Sequence, residues 1–63
     1  WIVARRAETY RQMDRCKEAL VDFNRAIEMD PDDTWSIAGR GNTYRQMGRF
    51  LEASEDLQRS GGR

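Results

Sequence analysis

Apolar residues recur along this chain at the spacing of helix faces. Val3, Ala7, Tyr10 and Met13 step by four and three, which puts them on one side of a helix over residues 2–13. The pattern breaks around Asp14-Arg15. Cys16, Ala19, Leu20, Phe23, Ala26 and Ile27 then make a wider stripe along a second helix of about 13 residues, which packs on the first. Pro31 cannot continue that helix. Asp30-Pro31-Asp32-Asp33 supplies a stop and a new start, with Asp32 or Asp33 accepting the orphan N–H groups of the next helix. Ile37, Gly41, Tyr44 and Met47 predict a third helix, and Phe50, Ala53 and Leu57 a fourth that should fail at Ser60-Gly61-Gly62. Gly39 and Gly41 inside the third helix each cost up to about 1 kcal/mol relative to Ala. Close approach of another backbone would account for Gly41; nothing in the pattern accounts for Gly39.

The second half of the chain repeats the first. Thr9-Tyr10-Arg11-Gln12-Met13 returns as Thr43-Tyr44-Arg45-Gln46-Met47, and the same offset pairs Trp1 with Trp35, Ala4 with Ala38, Arg6 with Arg40, Arg15 with Arg49, Glu18 with Glu52, Ala19 with Ala53, Asp22 with Asp56 and Arg25 with Arg59. A fixed period in the range of about 20 to 50 residues marks a repeat array, and about 34 is the period of helix-turn-helix units of one well-known kind. Gly48 stands where the first copy has Asp14. A Gly just past a helix suits a left-handed residue, and Asp is tolerated there at some steric cost, so both copies should make the same turn.

Ala7, Tyr10, Ala19, Phe23 and Pro31, followed by Gly41, Tyr44, Ala53 and Leu57, fit the pattern W-x₂-L-G-x₂-Y…A-x₃-F…P. On these residues the chain resembles a pair of tetratricopeptide repeats. The resemblance implies an all-α fold of two helix-turn-helix units, four antiparallel helices forming a fragment of an α-solenoid. The first unit covers 1–33 and the second 34–63, with its last helix truncated near 60. A chain that opens on Trp1, already inside the repeat, reads as a piece of a longer protein. The pattern's Trp position holds Val3 and Ile37, its Leu position holds Arg6 and Arg40, and Cys16 stands where Phe50 supplies an aromatic in the second copy. Arginine in place of a core Leu is expensive unless paired. Asp22 and Asp56 lie sixteen residues later on the facing helices, so Arg6, Asp22, Arg40 and Asp56 are read as a ladder of charge-assisted hydrogen bonds crossing the helix layers, including a rung from Asp22 to Arg40.

Composition narrows the function. Lys+Arg 11 and Asp+Glu 11 cancel, so no global field steers the chain to nucleic acid, anionic membrane or acidic substrates. With no His and only Cys16, it lacks a Ser-His or Cys-His nucleophile system and a tetrahedral zinc set, and no enzyme activity or cofactor is expected. Asp30, Asp32 and Asp33 partly resemble a Ca²⁺ loop, but Trp35 occupies the position that needs Gly. Gly39-Arg40-Gly41 lacks the third Gly and the preceding strand of a dinucleotide fingerprint. Cys16 on the apolar stripe reads as a core residue, and a single Cys favours a reducing, cytoplasmic setting. There is no apolar run long enough to span a membrane.

The residues off both stripes carry the functional expectation. Trp1, Arg5, Glu8, Arg11 and Gln12 recur in position as Trp35, Gly39, Asn42, Arg45 and Gln46, so stacking would align them in parallel ridges. The resemblance implies a groove lined by the first helix of each unit, holding a peptide or protein segment. Aromatic, guanidinium and amide groups suit such contacts. Some relatives clamp a C-terminal carboxylate with a Lys and an Asn one turn apart. Asn42 matches, but Ala38 stands at the Lys position and Ala4 and Glu8 replace both in the first copy, so no full clamp is implied. Two other readings remain: a nucleic-acid groove using Arg5, Arg11, Arg45 and the Trp rings, and a structural spacer in a larger protein. Because about three such units are needed for a stable stack, isolated chains are also expected to self-associate, by stacking end faces or by exchanging a repeat about residues 30–34.

Overall fold

The computed structural model describes residues 2–61 and contains the helices α1 (Ile2–Gln12), α2 (Cys16–Met29), α3 (Thr34–Gln46) and α4 (Phe50–Gly61). Each helix packs on its neighbour in sequence, and α3 also touches α1. The chain is therefore two helix-turn-helix pairs, with α3 seated against the first pair.

The turns within the two pairs are the same. Asp14 has φ 65° and Gly48 φ 82°. In both, the left-handed residue donates its N–H to the carbonyl three back, Asp14 to Arg11 and Gly48 to Arg45, each at 3.0 Å. The next N–H reaches further, Arg15 to Tyr10 and Arg49 to Tyr44, each at 2.8 Å. That double bond pattern satisfies carbonyls that a helix end would otherwise leave open. Between the pairs, Asp33 is the N-cap of α3. Its carboxylate accepts from Ser36 N at 3.3 Å and from Ser36 Oγ at 2.6 Å, while Asp30 Oδ1 accepts from Asp32 N at 3.2 Å. The acidic turn is thus used in capping and in holding its own backbone.

The core is built mainly from small residues. Ala4, Ala7, Ala19, Ala26, Ile37 and Ala53 are buried, and Phe23 is the one large apolar side chain among the described residues that is completely enclosed. Small side chains let the helices approach, and the glycines of α3 extend this. A Cβ on Gly39 would lie 2.4 Å from the tip of the Phe23 ring, so this position is bare to admit that ring. A Cβ on Gly41 would lie 3.0 Å from Leu57 Cγ and 3.1 Å from Asp56 Cβ. The neighbours of Gly41 are side-chain atoms of α4, not the backbone that the sequence suggested.

Other expectations are corrected. Met13 lies in the turn and is exposed, and Phe50 is 66% exposed rather than inward. α4 is helical through Gly61, within the stretch Ser60-Gly61-Gly62 where its end is expected, and Ser60 Oγ donates to the Leu57 carbonyl at 3.1 Å; Gly62 lies outside the described residues. Cys16 is half-buried, and burial, assisted by Asp14, raises its thiol above the usual 9.0, so at neutral pH it is a protonated, weak nucleophile.

Candidate interaction surface

The charged layer between the helices is organised by two bidentate pairs. Arg6 Nε and Nη2 donate to the Asp22 carboxylate at 2.7 and 3.0 Å, and Arg40 Nε and Nη2 to Asp56 at 2.7 and 2.8 Å. Both carboxylates are buried, and every buried side-chain nitrogen or oxygen among the described residues has a partner. The expected rung from Asp22 to Arg40 is replaced. Asp22 is held by Arg6, and Arg40 Nη1 donates instead to Asn24 Oδ1 at 2.9 Å. Asn24 was missed, although the sequence held a signal: its counterpart in the second copy is Gln58, so an amide recurs there without an identity.

A second network joins the pairs along α1 and α3. Arg11 grips Glu8, with Nε donating to Oε1 at 2.9 Å and Nη2 to Oε2, and Gln12 Nε2 donates to the same carboxylate at 3.1 Å. These bonds, Arg11 first, hold the Glu8 carboxyl below its usual 4.5 against the opposing effect of partial burial. Arg11 Nη1 also donates to Gln46 Oε1 at 3.3 Å, while Gln46 Nε2 donates to the Arg11 carbonyl and to Asp14 Oδ1, each at 3.1 Å. Four proposed groove residues, Glu8, Arg11, Gln12 and Gln46, are therefore one connected cluster. Asn42 and Arg45 form a separate pair at 3.2 Å.

Arg5 and Trp35 meet elsewhere, in a hollow of about 380 Å³ that they line with Ala4 and Asp33. Trp35 is 53% exposed and leans on Phe23, ring centroids 6.3 Å apart and planes tilted by 59°. Trp1 lies outside the described residues. Gly39, aligned with Arg5 in the repeat, contributes nothing to a ridge because it is buried beneath Phe23. Arg45 borders a different hollow of about 400 Å³, with Phe50, Ala53, Ser54, Leu57 and Gln58. The eight described groove positions thus divide among a salt-bridged cluster, an apolar hollow and an outer edge.

The family model described as Tetratricopeptide repeat matches residues 2–33, which contain α1 and α2. The chain belongs to the tetratricopeptide repeat family. Repeats of this family are non-enzymatic scaffolds that mediate protein-protein interaction. No curated protein and no solved structure matches the chain. Among the described residues, no group of His, Cys, Asp and Glu could hold a metal ion, and no helix is long and apolar enough to cross a membrane.

Proposed function

We propose that this tetratricopeptide chain is a protein-interaction scaffold that holds a peptide segment along the surface shared by α1 and α3, with residues 34–63 acting as its second unit. The observation that carries this reading is the Trp35 hollow. A large, half-exposed ring stands on the enclosed Phe23 and walls a space of about 380 Å³ whose rim carries Arg5 and the Asp33 carboxylate. Such a ring offers area at little entropic cost because Phe23 already restrains it. The opposite charges at the rim suit an apolar anchor flanked by polar groups. The Glu8–Arg11–Gln12–Gln46 cluster extends the surface with hydrogen-bonding groups in fixed positions. Arg11 is committed to Glu8, which weighs against using it on phosphates.

The test is selection of peptides from a displayed random library against the intact chain, followed by titration of a selected peptide. Trp35→Ala should weaken binding by about tenfold or more, as loss of a hot-spot anchor does, while helical circular dichroism is retained. Arg45→Ala should weaken a segment that extends past Asn42. Unchanged affinity in both variants would remove this surface from the site.

A further inference from the structure

The hollow beside Trp35 has apolar walls and a charged edge. Trp35 and Ala4 supply the walls, and Asp33 and Arg5 stand at the edge with opposite charges. The Asp33 carboxylate is held in place. Each of its oxygens accepts one hydrogen bond from Ser36, from N at 3.3 Å and from Oγ at 2.6 Å, and Ser36 is completely buried. An ionised carboxylate has about four acceptor sites, so about two remain for a ligand. Its surroundings are acidic as well. From Ala26 to Gly39 the chain carries Glu28, Asp30, Asp32 and Asp33 and no Lys or Arg. Among the described residues, the ion pairs engage Glu8, Asp22, Glu52 and Asp56, none of them in this stretch. Trp35 therefore stands in a locally negative field, although the chain as a whole is neutral.

We infer that the anchor taken by this hollow is the side chain of a single Lys or Arg in the bound segment. The inference rests on the reading of the hollow as a peptide site and adds the chemistry of the residue that fills it. A long aliphatic stem lies against Ala4 and the indole, as such stems do on apolar surface, while the charged tip reaches the Asp33 carboxylate. Trp is also the ring that draws a cation most strongly, and Trp35 is half-exposed. A purely apolar side chain would fill the walls and take water from Asp33 without replacing it. An acidic one would meet Asp33 and its neighbours as like charges. Arg5 sets the opposite limit: it repels a second cation, so the fitting segment carries one basic residue here and not a basic run. Glu8 does not compete for the cation, because Arg11 and Gln12 already donate to it.

The experiment uses two displayed peptide libraries, one with Lys fixed at its central position and one with Glu, selected in parallel against the intact chain. Only the Lys library should yield peptides that lose binding to Trp35→Ala. Replacing the fixed Lys of such a peptide by norleucine keeps the stem, removes the charge and should weaken binding by about tenfold. Asp33→Asn should weaken the Lys peptide by about threefold and the norleucine peptide by much less. Asn caps a helix as well as Asp does, so the start of α3 is kept, and the urea midpoint of the variant checks that. Arg5→Met removes the repelling charge and should tighten the Lys peptide by about twofold. Trp35-dependent peptides from the Glu library, a norleucine peptide that binds as tightly as its Lys parent, or an Asp33→Asn variant that weakens both peptides equally would each overturn the inference while leaving the peptide surface standing. If no peptide from either library depends on Trp35, the reading of the hollow falls and this inference falls with it.

Discussion

Thr9 and Thr43 are the same residue at the same place in the repeat, and each donates its hydroxyl to the carbonyl four residues earlier, at 3.1 and 2.8 Å. Thr9 is exposed and Thr43 is completely buried. The two bidentate Arg-Asp pairs differ in the same direction: the geometry is shared, but Arg40 is mostly covered and Arg6 is mostly exposed. Local sequence determines which bonds a helix makes within its own pair, and the neighbouring pair determines what those bonds are worth. A carboxylate-guanidinium pair kept from water resists loss of one partner far more than an exposed one.

The largest expected effect follows from that contrast. Asp56→Ala leaves the mostly covered Arg40 with Asn24 but no carboxylate and should cost about 3 kcal/mol, enough to remove most of the stability of so small a domain. Asp22→Ala should cost distinctly less, because Arg6 can turn to solvent. Urea midpoints of the two variants at one fixed protein concentration check this, and equal losses would break the comparison. A double-mutant cycle should find coupling between Asn24 and Arg40 and little between Asp22 and Arg40.

Gly39→Ala comes next. The added methyl meets a ring that is enclosed on all sides, and overpacking of that kind costs about 2 kcal/mol, more than the helix propensity gained. Gly41→Ala, against the more adjustable Leu57, should cost less. A thermal melt of each variant ranks them, and a stabilised Gly39→Ala would refute the reading of this position.

Smaller again is the turn. Nothing lies within 4 Å of a Cβ placed on Gly48, so Gly48→Ala measures left-handed strain alone, about 1 kcal/mol. Asp14→Gly relieves the same strain but gives up the bond from Gln46, so its net gain should fall below about 0.5 kcal/mol. Denaturant midpoints for both variants would show whether one turn in two contexts has one energy.

The least effect is in acid. Glu8 titrates below its usual 4.5 in the folded chain, so its contribution is fully present above that value and is lost as pH falls through the lower folded one. The stability difference between the parent chain and Glu8→Gln should therefore be flat above pH 4.5 and shrink below it. Urea titrations across that range decide it.

Much of the architecture was legible in the sequence because helix periodicity and internal repetition are properties of the chain itself. Four helices, the turn shared by Asp14 and Gly48, and Arg6 opposite Asp22 follow from spacing. What did not follow depends on the interface between pairs. Gly39 made no sense within α3, since its reason is a ring on another helix. Phe50 sits on the apolar stripe, yet a stripe identifies a face and not whether anything covers it. Charge alone points the rung from Arg40 to Asp22, whereas the Arg40 nitrogen left over from Asp56 meets the neutral amide of Asn24. The same limit applied to the candidate surface: equal repeat positions do not make equal ridges when one member, Gly39, is buried.

The fit of Phe23 into Gly39 also bears on how the gene can change. Every missense change at codon 39 adds at least a Cβ, and the first such atom already lies 2.4 Å from the ring, so the position has no neutral missense neighbour. Codon 5, its counterpart one repeat earlier, encodes an exposed Arg whose long side chain already accommodates a Cβ. Two codons that descend from one position in the repeat should thus show opposite substitution spectra in a saturation library: a single permitted amino acid at 39 and many at 5.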